Sequence, residues 1–243
     1  MTRGVSRFNR LYLAGSDITC STLGLDAAGV EYETDALAAW CEQVRGSIPG
    51  APAFVVGQLS GYLDTERLHT LRDTTSSVMT LAFGGTTAPT AGSPAFSAPV
   101  LVRSYQAGEG DTISTVTMTF DTLISDLVIP NPFGVLLHAL GAETGSNTGG
   151  GVDAGAATAH GAWMAYHVTA VSGTGSATIS VEDSADNVTY AAVSGLTATV
   201  TAAGVSGYAQ TAATATIRRY ARWQLSLAGI TSITFTLALM RGL

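Results

Sequence analysis

Residues 163–190 constrain the fold of this chain more than any other stretch. They read WMAYHVTAVSGTGSATISVEDSADNVTY, with two runs of alternating side chains on either side of a Ser-Gly-Thr-Gly-Ser segment. Period-two alternation is typical of half-buried β-strands, and Gly173 and Gly175 can supply the positive φ angles of a tight turn. We therefore predict a β-hairpin here, followed by strands at 196–200, 214–227 and 230–240.

The composition favours a β protein and excludes several kinds of chemistry. Only 12% of the 243 residues are charged, while Thr, Ser, Ala and Gly are plentiful, as is typical of solvated β surfaces. The chain contains no Lys, which excludes Schiff-base enzymes, pyridoxal enzymes and Walker-A nucleotide sites. A formal net charge of −7 disfavours binding of nucleic acid through its phosphates.

The sequence contains no catalytic or metal-binding motif. Four histidines are scattered, none of them in an H-E-x-x-H sequence, and neither a G-x-S-x-G elbow nor a Gly-rich dinucleotide turn occurs. Glu182-Asp183 and Asp186-Asn187 form an acidic turn whose spacing fits no standard calcium loop. We expect a protein that is not an enzyme and that holds no cofactor or metal.

Cys20 and Cys41 are the two cysteines of the chain. They form no CxxC motif and have no neighbouring His pair, so a zinc site is disfavoured. We predict a pair of buried free thiols, with a disulfide between them as the alternative. The apolar run after Arg10 is too short for a signal peptide, and no segment reaches membrane-spanning length, so we expect no membrane insertion.

A polar strand face is the first candidate functional surface. Residues 115–121 read TVTMTFD, in which Val116, Met118 and Phe120 would point to one side. The polar side would then carry Thr115, Thr117, Thr119 and Asp121. Gln58 and Ser60 occupy the polar side of a second short strand pattern, around residues 58–63.

A row of carboxylates is the second candidate surface. Glu31, Glu33 and Asp35 recur at two-residue spacing, which would place all three on one face of a strand. Their mutual repulsion adds only solubility to an isolated domain, but such a face would repel a polyanion such as DNA. An exposed loop is the alternative interpretation of these residues.

The second half of the chain resembles a known family. The segments GVLLHALGAETG, HVTAVSGTGSATISVEDSADNVTYA and RRYARW, in this order, resemble the C-terminal domain of tail tube proteins from long-tailed bacteriophages. The likeness covers roughly residues 134–243.

The first half carries shorter motifs of the same family. Gly15, Asp17, Ile18 and Thr19 resemble the opening of tail tube subunits, and residues 58–64, QLSGYLD, are similar to the family's pattern of Leu-Ser-Gly, an aromatic residue, an apolar residue and Asp. Residues 66–74 are predicted to form an α-helix, with Leu68 and Leu71 one turn apart. This helix resembles the single helix that tail tube subunits pack against one sheet.

The resemblance implies a mainly β fold in two domains. Residues 1–138 would form a tail tube β-sandwich with one flanking α-helix, residues 139–155 a Gly-rich linker, and residues 156–243 an outer antiparallel β-sandwich of jelly-roll type. Hexameric rings would stack into a tube in the virion tail, assembled in the bacterial cytoplasm. Its partners would be further copies of the chain, the tape measure protein, other tail proteins at the tube ends, and double-stranded DNA passing through the lumen.

The resemblance to tail tube proteins also implies roles for individual residues. The candidates for the lumen lining are the two polar surfaces described above: Glu31, Glu33, Asp35, Gln58, Ser60, Thr115, Thr117, Thr119 and Asp121. Arg3, Arg7 and Arg10 would form an arm that clamps a neighbouring subunit.

A carbohydrate-binding module is the alternative function. In that case the jelly roll would hold a host polysaccharide, with Trp163 and Trp223 stacking on sugar rings. Their alternation with small residues favours the core instead.

Overall fold

The computed structural model describes residues 8–37, 46–62, 68–71, 77–109, 114–123 and 127–243. Its regular structure is almost entirely β-strand, which confirms the predicted mainly β class. The strands are β1 (Arg10–Leu13), β2 (Ser16–Asp17), β3 (Thr22–Leu25), β4 (Ala28–Leu37), β5 (Gly46–Val56), β6 (Leu59–Tyr62), β7 (Ser77–Ala82), β8 (Pro94–Gly108), β9 (Thr115–Thr122), β10 (Phe133–Glu143), β11 (Asn147–Thr148), β12 (Val152–Asp153), β13 (Ala162–Ser184), β14 (Ala191–Val200), β15 (Val205–Gln210) and β16 (Tyr220–Arg241).

Fourteen of these strands form one antiparallel network. Its main path runs β14-β13-β16-β10-β8-β7-β1-β2, and β9, β6 and β3 branch from β8. β4 and β5 pair with each other in a separate two-stranded hairpin.

The first half folds as a β-sandwich because β8 belongs to two layers. Residues up to Val100 pair with β7, and residues from Val100 onward pair with β9. Tyr12 and Met79 from one layer and Leu59 and Met118 from the other lie in one buried cluster. This burial of apolar surface between the layers is the main source of their stability.

The predicted hairpin at Gly173 and Gly175 is wrong. β13 continues through both glycines, and β13 and β16 pair from Ala162 opposite Arg241 to Ser184 opposite Tyr220. Both glycines have positive φ, but they lie at register shifts within the ladder. The strands predicted at 214–227 and 230–240 are accordingly one strand, β16, which begins at residue 220.

The predicted α-helix at residues 66–74 is not seen. Within the part of this segment that the structure describes, residues 68–71, His69–Leu71 form a single 3-10 turn. Leu68 and Leu71 are buried, as the one-turn spacing predicted. No α-helix occurs among the described residues, and none of their helices is long and apolar enough to cross a membrane.

Residues 139–155, predicted as a linker, contribute three strand segments. The end of β10, together with β11 and β12, pairs with β16. β10 also pairs with β8, so its ladder connects the two parts of the network. The predicted division into domains at 1–138 and 156–243 remains a prediction.

The two halves also share side-chain packing. Trp163 from β13 and Met240 from β16 belong to the cluster that fills the first-half sandwich. The indole Nε1 of Trp163 donates a hydrogen bond to the carbonyl oxygen of Asn131 at 2.8 Å. A second cluster, which includes Ile179, Trp223 and Phe235, lies within the second half.

Candidate functional site

The threonine face of β9 has the predicted alternation. Val116, Met118 and Phe120 are buried, while the threonines at 115, 117 and 119 are half-buried and reach solvent. The apolar residues anchor the strand in the sandwich core, and the hydroxyl groups consequently line its outer surface.

Neighbouring strands extend this surface on both sides. Ser60 of β6 lies opposite Thr117, and Gln106 of β8 lies opposite the same threonine from the other side. Directly opposite residues of an antiparallel pair share a face, so the three side chains point the same way. The hydroxyl oxygens of Ser104 and Thr119 lie 2.7 Å apart, which continues the pattern along β8. We call the surface formed by Ser60, Ser104, Gln106, Thr115, Thr117 and Thr119 the hydroxyl face.

An exposed ion pair lies at one end of the hydroxyl face. The Arg103 Nη1 atom is 3.5 Å from the Asp121 Oδ1 atom, and both side chains are more than half exposed. Such a pair contributes little to stability. Its effect is on the charge of the surface, because the guanidinium offsets the negative charge of the Asp121 carboxylate.

The carboxylate row lies on a strand. Residues 31–35 are part of β4, so the exposed-loop alternative is wrong. The Glu31 side chain is exposed; the side chains of Glu33 and Asp35 lie outside the described residues. Pairing with β5 shifts in register between Tyr32 and Thr34.

Gln58 and Arg10 lie in the described part of the first half. Gln58 is exposed in the short connection before β6, where its carbonyl oxygen accepts a hydrogen bond from the Asp26 N–H. Arg10 begins β1, and its Nη1 donates to the carbonyl oxygen of Asn9 at 3.3 Å. Arg3 and Arg7 lie outside the described residues, so their predicted role as an arm stays a prediction.

The two tryptophans offered for sugar stacking are core residues. Trp163 has no exposed surface, and Trp223 is 6% exposed. Trp163 contacts Tyr208 edge to face, and Trp223 packs edge to face on both His138 and Phe235. With their rings covered in this way, neither residue can stack on a sugar, and the carbohydrate-binding alternative loses its proposed residues.

The predicted burial of the thiols is wrong for Cys20, which is a free and exposed cysteine in the turn before β3. Cys41, the other half of the alternative disulfide, lies outside the described residues.

The acidic turn at 182–187 is satisfied by protein groups. The Asp186 carboxylate accepts hydrogen bonds from the N–H groups of Val188 and Thr189, and these bonds lower its pKa. Arg222 binds Glu182 through its Nε atom at 2.7 Å. Across the described ranges, no group of three or more His, Cys, Asp and Glu residues could hold a metal ion.

Sequence reasoning missed Ser104 and Gln106. Both lie in the second half of β8, where a register shift between Val102 and Ser104 interrupts the simple alternation. Polar residues at 104 and 106 were the only signal, and they could be assigned to the hydroxyl face only once the pairing partner of β8 was known.

Comparison with known proteins adds little. No protein-family model matches the chain, and no curated protein sequence matches it. Among solved structures, it aligns with the crystal structure of the SPP1 Dit protein, which is described as a paradigm of the hub adsorption apparatus in phages that infect Gram-positive bacteria. The alignment covers 96% of this chain and 99% of that chain, at 13% identity and a TM-score of 0.34. A likeness of this degree supports no statement about the function of this chain.

Proposed function

We propose that this chain is a structural protein of a bacteriophage tail and, within that class, the subunit of the tail tube. The family is suggested by the sequence motifs at 15–19 and 58–64 and by the longer resemblance over 134–243. The subunits would form six-membered rings, and the stacked rings would make a conduit for DNA.

The hydroxyl face is the observation that carries this proposal. Its side chains are neutral hydrogen-bonding groups, held in rows by a buried apolar layer directly beneath them. A conduit wall should hold water and offer DNA no unpaired cation, because each lysine or arginine contact to a phosphate retards the passing strand. Arg103, a cation beside this face, is paired with Asp121.

Glu31, Glu33 and Asp35 would add repulsion along the wall. Two like charges about 4 Å apart in water repel by about 1 kcal/mol, and salt screens the interaction beyond about 10 Å. The contribution of each residue is therefore modest, and the sum around a ring of identical subunits would keep phosphates away from the surface.

Electron microscopy of the purified, concentrated protein tests assembly, with its mass measured by light scattering alongside. We expect six-fold rings, or hollow tubes whose lumen is wide enough for double-stranded DNA. A monomer at every concentration would contradict self-assembly into a tube.

A charge substitution tests which surface lines the conduit. Thr117→Arg combined with Thr119→Arg places two cations on the hydroxyl face. Thr197→Arg combined with Thr199→Arg is the matched control, because these threonines are exposed at the same spacing on β14. We expect both pairs to assemble into particles, and only the first pair to slow DNA release from triggered virions. Equal rates of DNA release from the two variants would contradict the proposal that the hydroxyl face lines the lumen.

A further inference from the structure

His138 is a buried histidine in the β10–β16 ladder, between two places where the register shifts. Such shifts mark β-bulges, which turn side chains out of the simple alternation. The imidazole lies flat against the Phe235 ring, with centroids 4.1 Å apart, and meets the Trp223 indole edge to face, with centroids 4.6 Å apart. These two rings hold the imidazole in one orientation, so each of its nitrogens faces a fixed partner.

Both ring nitrogens of His138 face hydrogen-bond acceptors. Nδ1 lies 3.0 Å from the carbonyl oxygen of Phe235, and Nε2 lies 3.2 Å from the Oε1 atom of Glu143. A carbonyl oxygen has no proton to give, so Nδ1 carries a proton and donates it. A neutral imidazole has a single N–H, so its Nε2 would then present a lone pair to the carboxylate. Both contacts are hydrogen bonds only if the His138–Glu143 pair holds one further proton.

The surroundings of this pair favour His138 as the residue that carries the further proton. β16 contributes the Phe235 and Trp223 rings, which do not titrate, and β11 contributes Asn147, whose Nδ2 donates to the Glu143 Oε2 atom at 3.0 Å. Partial burial of Glu143 opposes its ionisation, but the hydrogen bonds from Asn147 and His138 outweigh burial and lower the pKa of Glu143. The pair is therefore an imidazolium and a carboxylate.

The Glu143 carboxylate also closes the turn between β10 and β11. Glu143 ends β10 and Asn147 begins β11, so the hydrogen bond between their side chains joins the two sides of the turn. Further along, the Gly149 N–H donates to the carbonyl oxygen of Trp223 at 2.9 Å, and a Cβ atom on Gly149 would overlap the indole. The segment from Glu143 to Gly149 is thus held at its two ends, by the carboxylate and by Trp223.

We infer that the imidazolium of His138 latches this turn segment through Glu143, and that loss of the Nε2 proton at higher pH releases it. Without that proton, the lone pair of Nε2 faces the carboxylate and the two repel each other. Nδ1 keeps its hydrogen bond to Phe235, so the ring stays in place and the carboxylate moves away. An unperturbed histidine titrates near pH 6.5, so pH 5.5 and pH 8.5 compare the two states.

Nuclear magnetic resonance of protein labelled with ¹⁵N-histidine tests the location of the proton. The signals of His138 are identified by their absence from His138→Gln. We expect both ring nitrogens of His138 to carry protons at pH 5.5, and Nδ1 alone to carry one at pH 8.5. A ring with a single proton at pH 5.5 would overturn the inference.

Hydrogen exchange followed by mass spectrometry tests the latch itself. After correction for the intrinsic exchange rate, we expect protection of residues 143–149 to fall about tenfold from pH 5.5 to pH 8.5, the scale of one hydrogen bond to a charged group. In Glu143→Gln the new amide can donate to a neutral Nε2, so the turn should stay closed at both pH values. Glu109→Gln makes the same change at an exposed position and should keep the tenfold fall.

Two results of the exchange experiment would overturn the latch. Equal protection of the turn in the unmodified chain at the two pH values would mean that the proton does not control it, even if His138 titrates. A fall of the same size in Glu143→Gln would mean that another group opens the turn. Neither result bears on the assembly of rings, so the latch and the proposed tail tube function are tested independently.

Discussion

The imidazole Nε2 atom of His167 lies 2.9 Å from the hydroxyl oxygen of Thr80. His167 is fully buried on β13, and Thr80 is buried on β7, so this contact crosses between the two halves of the chain. The other ring nitrogen, Nδ1, is 3.4 Å from the backbone nitrogen of Gly15 and accepts its hydrogen. Nε2 therefore carries the proton and donates to Thr80, whose own hydroxyl reaches Ser97 at 2.9 Å.

The surroundings of His167 predict a pH-dependent stability. The ring contacts the Thr80 hydroxyl, the Gly15 amide and the Tyr12 ring, whose centroid is 5.7 Å away. Desolvation by burial lowers the pKa of His167 to about 3. The unfolded chain, with a histidine pKa of about 6.5, takes up this proton first as the pH falls. Stability is therefore complete above about pH 6.5 and declines towards pH 3, by up to about 1.4 kcal/mol per pH unit.

Urea unfolding between pH 7 and pH 4.5 measures this decline. Most of this window lies above the ordinary pKa values of Asp and Glu, about 3.9 and 4.3, so its upper part, above about pH 5, isolates the histidine. We expect His167→Gln to flatten the dependence and His160→Gln, at an exposed position, to leave it unchanged. Equal slopes for the unmodified chain and His167→Gln would show that His167 is not the group responsible.

Thr80 provides an independent prediction for the same junction. Thr80→Val keeps the shape of the side chain and leaves the His167 N–H buried without its acceptor, which should cost about 1–3 kcal/mol. Thr80→Ser retains the hydroxyl and should cost less, mainly for the lost methyl group. The free energies of unfolding of the two variants, compared at pH 7, check the order; a Val variant as stable as the Ser variant would contradict it.

The strand class was predictable, and the connection between strands was not. Residues 163–184 lie in a strand, as predicted, but their burial does not alternate: residues 162–165 and 179–184 are buried without interruption, so both faces of the strand are covered at its two ends. The glycines at 173 and 175 misled the prediction, because a positive φ serves a tight turn and a bulge within a long strand equally well. Only the pairing with β16, distant in sequence, decides between them.

The candidate site shows the same limit. Thr115, Thr117 and Thr119 could be assigned to one face from sequence, because a large apolar residue that is buried in the core lies between each threonine and the next. Their neighbours Ser60 and Gln106 join them through strand register, which has no local signal. The burial of Trp163 was predicted from the alternation of the aromatic residues with small ones, but its place in the first-half core depends on how the two halves meet.

Substitution of Gly134 tests how closely β8, β10 and β16 are packed. A Cβ atom at this position would overlap the Leu239 carbonyl oxygen and approach the Met240 Cα atom to 2.9 Å. Backbone atoms on a paired strand cannot yield easily, so Gly134→Ala should lower the free energy of unfolding by about 1–3 kcal/mol or more. Gly85→Ala is the control, because nothing lies within 4 Å of its Cβ position. Equal unfolding midpoints for the two variants would contradict this packing.

Adjacent residues of β9 allow a final prediction, in which the same substitution should greatly lower the stability at one position and hardly change it at the other. Met118→Asp places a carboxylate in a fully buried position without a partner, and the cost of desolvating the charge should prevent folding or destabilise the protein by several kcal/mol. Thr117→Asp places the same carboxylate on the hydroxyl face, where water solvates it, and should change stability by about 0.5 kcal/mol or less. Soluble yield and urea unfolding measure both variants. If Thr117→Asp were as damaging as Met118→Asp, the threonine face would be covered in the folded protein, and it could not line a conduit.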